Sequence, residues 1–375
     1  MLLYLIEGNK KSKKMVRIPG ENFISLSLGP ALNGGYLMSE RYSRQQLFTP
    51  IGENGQELIR KKHVLIVGAG ALGSASAEAL VRAGIGKLTL IDRDYVEMSN
   101  LQRQQLYTEE DAFEKLPKVI AAKKRLQKIN SDVNINALVM DASADNMEVH
   151  LKDTDVMIDA TDNFDIRFII NDLSQKYDIP WVYGSCVGSF GMCCTILPSK
   201  TPCLNCILKR LPVPGVTCDT AGVISPAVQL VAAYQVAEVL KLLVEDYSAV
   251  NTKFLTFDLW NNQHFSFKVT KLKSDDCPSC GTNRTYPYLA FENQTKTSTL
   301  CGRNTVQIRP STTKNYDFNE LEIQLKQHGQ VVRNPYLISC QIEDYRFVVF
   351  QDGRVFVHGT HDIQEAKKLY YRLLG

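Results

Sequence analysis

The segment VLIVGAGALGSASAEALVRAGIGKLTLID, residues 64–92, constrains the fold more tightly than any other stretch of the chain. A short apolar run ends at Gly68, and Gly68, Gly70 and Gly73 form G-x-G-x-x-G at its junction with a helical pattern over 71–83. Asp92 closes a second strand-like run nineteen residues after Gly73. Such a unit brings backbone close to a phosphate, sets a helix N-terminus against its charge, and offers a carboxylate to ribose hydroxyls. Alone it suits NAD, FAD or the adenosine of ATP, and a glycine-rich turn without a ligand is the bland alternative.

The alternation continues beyond this unit. Apolar runs at 64–67, 87–92, 134–140, 155–160 and 181–187 alternate with helical patterns at 71–83, 116–129 and 163–177, which predicts a parallel sheet with crossover helices. After Met192 the runs "MCCTILP", "KFLTFDLW" and "QHFSFKVTKL" predict strands of a further sheet. The long apolar segment 224–244 is interrupted by Gln229, Gln235, Glu238 and Lys241, so it predicts a buried helix rather than a membrane span. Near the end, "YLISCQIEDYRFVVFQDGRVFVHG" predicts a hairpin turning at Asp352-Gly353, followed by the helix "DIQEAKKLYYRLL". The expected fold is therefore α/β: a Rossmann-like, mostly parallel sheet with crossover helices, continued by an antiparallel sheet, plus a small C-terminal α+β domain. Boundaries are expected at 1–37, 38–285 and 286–375. The first of these lacks steady periodicity, which suits an extension that is disordered or foreign to the native protein, with Met38 as an alternative start of translation.

A chain of 375 residues exceeds the roughly 250–300 at which one core stops growing, in keeping with two domains. Its net charge of +3 gives no basic surface suited to nucleic acid. The opening "MLLYLIEGNKKSKK" places its charges after a short apolar run, the wrong order for a signal peptide. A cytoplasmic protein, with neither membrane nor nucleic acid as partner, is expected.

The residues beyond Asp92 separate the nucleotides. "SNLQRQ" supplies Asn100, Gln102 and Arg103, "KLPK" supplies Lys118 at a helix start, and "DATDN" supplies Asp159 and Asp162 at the end of the fourth strand. Fixed cations with a carboxylate suit a triphosphate and Mg²⁺ better than a nicotinamide. Each also has a plainer reading: Lys118 as a solvated helix charge, Asp162 as a helix N-cap.

Ten cysteines carry a second signal. Cys203-x-x-Cys206 and Cys277-x-x-Cys280 could fill the four corners of a structural Zn²⁺ site, with redox pairs or separate thiols as the alternatives. Cys218, in "PGVTCDTAG", comes after a Pro/Gly loop and is a candidate nucleophile if its pKa is lowered, or else an inert thiol. Cys186, Cys193, Cys194 and Cys340 fall in strand-like runs and read as packing residues, whereas Cys301 reads as a loop thiol.

Taken together, "RYSRQ" at 41–45, "GAGALG", "LIDRD", "SNLQRQ", "DATDN", "VTCDTAG" and the paired Cys-x-x-Cys motifs resemble the ThiF/MoeB/HesA adenylyltransferases, prokaryotic relatives of ubiquitin-activating enzymes. The resemblance covers about residues 40–285. It implies an adenylation domain with a zinc site over 38–285. That domain would activate the C-terminal glycine of a ubiquitin-like sulfur-carrier protein, ThiS- or MoaD-like and ending in Gly-Gly, with ATP and Mg²⁺, in thiamine or molybdopterin synthesis. It assigns Gly68, Gly70, Gly73 and Asp92 to the nucleotide, Asn100, Arg103 and Lys118 to its phosphates, and Asp162 to Mg²⁺. Arg44 would reach the ATP of a partner subunit, implying a homodimer. Cys218 matches the cysteine that can join the carrier or handle sulfur. The tail shows no rhodanese, so a separate sulfur donor protein is expected.

The implied chemistry is self-consistent. A C-terminal carboxylate, with pKa about 3.3–3.7, is already ionised at neutral pH and needs no general base. An NAD-dependent oxidoreductase would use the same glycines and Asp92 but leave Arg103 and Asp162 without a purpose. A non-catalytic scaffold for a ubiquitin-like partner would require that ATP fail to bind.

Overall fold

The computed structural model describes residues 40–210, 222–290, 297–300, 304–309 and 316–374. Contacts divide the chain after Ser43. The described part before that point is one 3-10 turn, Glu40–Tyr42, closed where Ser43 Oγ donates to the Glu40 carbonyl at 2.9 Å. Both sheets lie within Arg44–Gly375.

Five strands, β1 (His63–Val67), β2 (Lys87–Asp92), β3 (Asn134–Val139), β4 (Val156–Asp159) and β5 (Trp181–Val187), run parallel in the order β3-β2-β1-β4-β5. Every residue of β1 is buried, as expected of a central strand covered by helices on both faces. The antiparallel strands β6 (Phe190–Ile196), β7 (Lys253–Asp258) and β8 (Gln263–Lys268) do not form the further sheet expected but extend this same sheet to eight, because β6 turns back to pair along β5. Strand β8 is the edge, exposed along its whole length.

Helix α1 (Gly52–Ile59) precedes β1 and has no counterpart in the sequence expectations. The crossover helices are α2 (Ala71–Ala83), α3 (Lys118–Ile129) and α4 (Phe164–Tyr177), close to the predicted spans. Helix α5 (Ser225–Leu243) is, among the described residues, the one helix long and apolar enough to cross a membrane. It is nevertheless a core helix, burying Val228, Val231, Val239 and Leu243 where it packs on β5, β6 and α2.

The join between β1 and α2 shows why glycine is required there. Gly68 has φ +97°, and a Cβ on it would lie 2.5 Å from the Ala160 carbonyl oxygen. A Cβ on Gly73 would lie 1.9 Å from the carbonyl oxygen of Gly68 itself. The helix can thus sit against the strand only if position 73 lacks a side chain. Gly73→Ala is expected to cost about 1–3 kcal/mol, the range for overpacking, read as a lower urea midpoint at unchanged slope. An unchanged midpoint would show that the loop relaxes freely.

The C-terminal sheet is wholly antiparallel, in the order β11-β12-β13-β14-β10-β9. Its strands are β9 (Thr297–Leu300), β10 (Thr305–Ile308), β11 (Gln330–Arg333), β12 (Leu337–Ile342), β13 (Tyr345–Phe350) and β14 (Val355–His358). The stretch expected to be one hairpin is a three-stranded meander. It turns once at Glu343 and Asp344, where Glu343 takes φ +51°, and again at Asp352-Gly353 as predicted. Helices α6 (Phe318–Lys326) and α7 (Ile363–Leu374) cover one face, meeting Phe347 and Val349. The alternate residues Val348, Phe350 and Phe356 face the other way and close on Tyr95, just beyond β2. A sheet apolar on both faces needs a cover on each, and on the second face Tyr95, from the segment after β2, supplies part of that cover.

Candidate active site

Strands β1, β2 and β4 end on one edge of the sheet, and the strand order reverses between β1 and β4. Open α/β sheets bind ligands in the crevice at such a point. Gly68 passes directly over the Ala160–Thr161 backbone at the end of β4. Position 70 faces open space, its nearest neighbour being Gln104 Nε2 at 3.8 Å from a built Cβ. A ligand can therefore approach the start of α2 closely.

Asp92 holds this loop together. Its Oδ2 accepts from Ala69 N and its Oδ1 from Asp94 N, both at 2.6 Å. Burial pushes the carboxyl above the usual range; Lys118 and the two N–H groups pull it back, and neighbouring Asp94 adds to the rise. Tyr107 donates its hydroxyl to the Ala69 carbonyl at 2.5 Å, clamping the same turn from above.

Lys118 is the first residue of α3 and only 3% exposed, with Nζ 3.1 Å from Asp94 Oδ2. The reading of it as a solvated helix charge is thereby excluded. Asn100 is buried in the 3-10 turn Met98–Asn100, where its Oδ1 accepts from Glu97 N at 3.1 Å. Arg103 extends from the same loop and donates through Nη1 to the Ser99 carbonyl at 3.0 Å. Gln102 is exposed.

Asp162 is exposed beyond β4, and it does not cap α4. Asn163 does, accepting from Asp165 N at 2.8 Å, and Asp162 lies near enough to Arg93 and Arg167 for its charge to act on both. Asp159 has a structural part instead. It is fully buried, 3.0 Å from Arg167 Nε, and also accepts from Thr161. Arg44 is exposed on the short helix Ser43–Gln46. Cys218 and Cys301 lie outside the described residues.

Sequence reasoning missed the charges that surround the site. Arg93 donates through Nη1 to Asp141 Oδ1 at 3.1 Å and lies 3.8 Å from Asp94. Burial would lower its pKa, but Asp141, Asp94, Asp162 and Asp92 together raise it, in that order of strength. Gln104 was also missed; it is buried, and its Oε1 has no hydrogen-bond partner among the described residues. Both residues stand inside the motifs "LIDRD" and "SNLQRQ", so their position between assigned residues was the available signal.

A second cluster is built from cysteines. The Sγ atoms of Cys203, Cys206, Cys277 and Cys280 all fall within 4.8 Å of one another and are buried, with the Cys203–Cys277 and Cys206–Cys280 pairs at 3.6 Å. A zinc tetrahedron with Zn–S of about 2.3 Å has sulfur–sulfur edges of about 3.8 Å, so the four thiols fit that ion with little adjustment. The thiols are coupled through their mutual hydrogen bonds, which pull Cys206 down and push Cys203 up, so the fit to a metal rests on the geometry of the four sulfurs. Cys186, Cys193, Cys194 and Cys340 are buried in strands, and burial raises the thiols of Cys193, Cys194 and Cys340.

Residues 42–279, more than half of the chain, match the model of the ThiF family. The chain belongs to the ThiF family. Among ThiF-family relatives, the sulfur carrier protein ThiS adenylyltransferase of Bacillus subtilis is 53% identical over 340 residues, covering 90% of this chain and all of that protein. The protein of the same description from Escherichia coli K12 is 33% identical, covering 66% of this chain and 97% of its own. The SAMP-activating enzyme E1 of Haloferax volcanii is also 33% identical, over 64% and 88%. Among solved structures, E. coli MccB with ATP superposes with a TM-score of 0.55 at 22% identity, covering 64% of this chain and 74% of that one, a likeness of fold.

Proposed function

We propose that this ThiF-family chain uses MgATP to adenylate the C-terminal glycine of a ubiquitin-like sulfur-carrier protein, and that the carrier is ThiS-like and serves thiamine synthesis. The observation that carries the reading is the crevice itself. A glycine cradle, the Asp92 carboxylate, buried Lys118 and exposed Asp162, whose charge acts on Arg93, gather at one strand-order reversal. The relative of B. subtilis, matched over its whole length, favours the ThiS-like carrier over a MoaD-like one.

Asp92 would take the ribose, while Asn100, Arg103 and Lys118 would hold phosphates. Asp162 would hold Mg²⁺ against them, since that ion is usually bound by one or two carboxylates together with substrate phosphates. The carrier's terminal carboxylate attacks the α-phosphorus, the bond to the β-phosphate breaks, and pyrophosphate departs. The residues' task is to offset repulsion between the incoming carboxylate and the triphosphate, and to hold the two in line. Arg44 would complete the site of a partner subunit in a homodimer. The four cysteines would hold a zinc ion away from the reaction, with no coordination position left open.

Offering ThiS-like and MoaD-like carriers together with MgATP, and reading each C-terminus by mass spectrometry, tests the assignment. The ThiS-like carrier is expected to gain the adenylate. Adenylation of the MoaD-like carrier alone would overturn the pathway, and adenylation of neither would overturn the activity.

A further inference from the structure

The C-terminal sheet touches the nucleotide-binding half at the segment just beyond β2. Arg354 Nη1 donates to the Arg93 carbonyl at 3.3 Å, and Arg346 Nη2 reaches Tyr95 Oη at 2.7 Å and Glu97 at 3.1 Å. Deeper in the interface, Gln307 of β10 and Arg309 just after it both bond Asp141 Oδ2. The other oxygen of Asp141 accepts from Arg93 at 3.1 Å, Arg93 lies against Asp94, and Asp94 pairs with Lys118. An unbroken line of ion pairs thus runs from the C-terminal sheet to the lysine at the start of α3.

We propose that the C-terminal sheet positions the ATP site, with Arg309 and Asp141 as positioning residues that act through Arg93 and Asp94 on Lys118 and the loop closed by Asp92. The inference rests on the reading of this crevice as an ATP site.

Three features support it. The members of the line are little exposed: 23% for Arg309, 7% for Asp141, 16% for Arg93 and Asp94, and 3% for Lys118. Water therefore screens the pairs weakly. Carboxylates and cations alternate along the line, with Asp141 between Arg309 and Arg93 and Asp94 between Arg93 and Lys118, so removal of one member changes the charge facing its neighbours on both sides. Burial alone would push the Asp141 carboxyl up, but Arg93, Arg309 and Arg354 outweigh it and hold it below the usual range. Asp141 is therefore a charged anchor at neutral pH. Displacement of Arg93 shifts both the carboxylate that holds Lys118 and the backbone between Asp92 and Asp94. Misplacement of such groups by about 1 Å can cost up to about 10²-fold.

The test measures ATP affinity of the full-length, metal-loaded protein without carrier, and the KM for carrier in pyrophosphate exchange. Arg309→Ala and Asp141→Asn are each expected to weaken ATP binding by about fivefold or more, with the carrier KM unchanged, and Arg309→Lys should restore most of it. Asn334→Ala serves as the comparison. Asn334 Nδ2 bonds the Glu114 and Lys115 carbonyls across the same interface, away from Asp141, so its removal loosens the docking but spares the line of charges. Equal loss of ATP affinity in Asn334→Ala would reduce the sheet to a general brace and overturn the proposal. So would unchanged affinity in Arg309→Ala, or tighter binding in Asp141→Asn, which would show only the effect of net charge on a polyanion. If the unsubstituted protein binds no ATP, the reading of the crevice fails first.

Discussion

If the four thiols hold zinc as proposed, its loss should unfold the region between β6 and the C-terminal sheet. The four sulfurs tie the start of the short helix Leu204–Leu208, capped by Cys203, to the turn after β8, where Gly281 N bonds the Cys277 carbonyl. Structural zinc in peptides contributes on the order of 10 kcal/mol or more, comparable with the whole stability of an ordinary domain. Replacing any one of Cys203, Cys206, Cys277 or Cys280 by Ser, or stripping the ion with a strong chelator, should therefore lower the melting temperature sharply and abolish a single cooperative transition. Metal analysis of the native protein should find one zinc per chain. A stable, cooperatively melting native protein without zinc would contradict the assignment.

Arg103→Ala should separate chemistry from folding. The described contact of its guanidinium is to the Ser99 carbonyl in its own loop, so the substitution disturbs little of the core. If Arg103 stabilises charge growing on the departing pyrophosphate, its loss should lower carrier-dependent exchange by roughly 10²–10³-fold, as for a lost transition-state donor. The melting temperature should hold. Normal exchange in this variant would remove Arg103 from the mechanism, and a parallel fall in stability would make it a loop-holding residue instead.

The parts of this molecule legible in its sequence are those dictated locally. The central strand β1 reads as a near-continuous apolar run, Val64–Val67, because both of its faces are covered, and β2 keeps Leu88, Leu90 and Ile91 around a single buried Thr89. The glycines announced the close passage over Ala160, and Asp92 stood at the end of its strand as the spacing required. The Cys-x-x-Cys pairs foretold a cluster although the chain folds back between them. The hidden parts are tertiary. Asp141 meets Gln307 and Arg309 across 166 and 168 residues, and no local pattern marks which buried acid a distant arginine will find. The helix cap fell one residue from the expected position, on Asn163, because either neighbour has a side chain able to serve. Helix α1 escaped notice because two glycines, at 52 and 55, lower its intrinsic propensity, while Gly55, Gln56 and Ile59 are buried by tertiary packing.

Pyrophosphate exchange into ATP tests the central claim most directly, because it reports formation of the acyl-adenylate without requiring a sulfur donor. The protein, Mg²⁺, ATP and labelled pyrophosphate are combined with a ThiS-like carrier ending in Gly-Gly, and in parallel with the same carrier lacking its final glycine. Exchange that depends on the intact carrier, and disappears with the shortened one, is the predicted result. Absence of exchange with either carrier, together with binding of NAD in place of ATP, would contradict it.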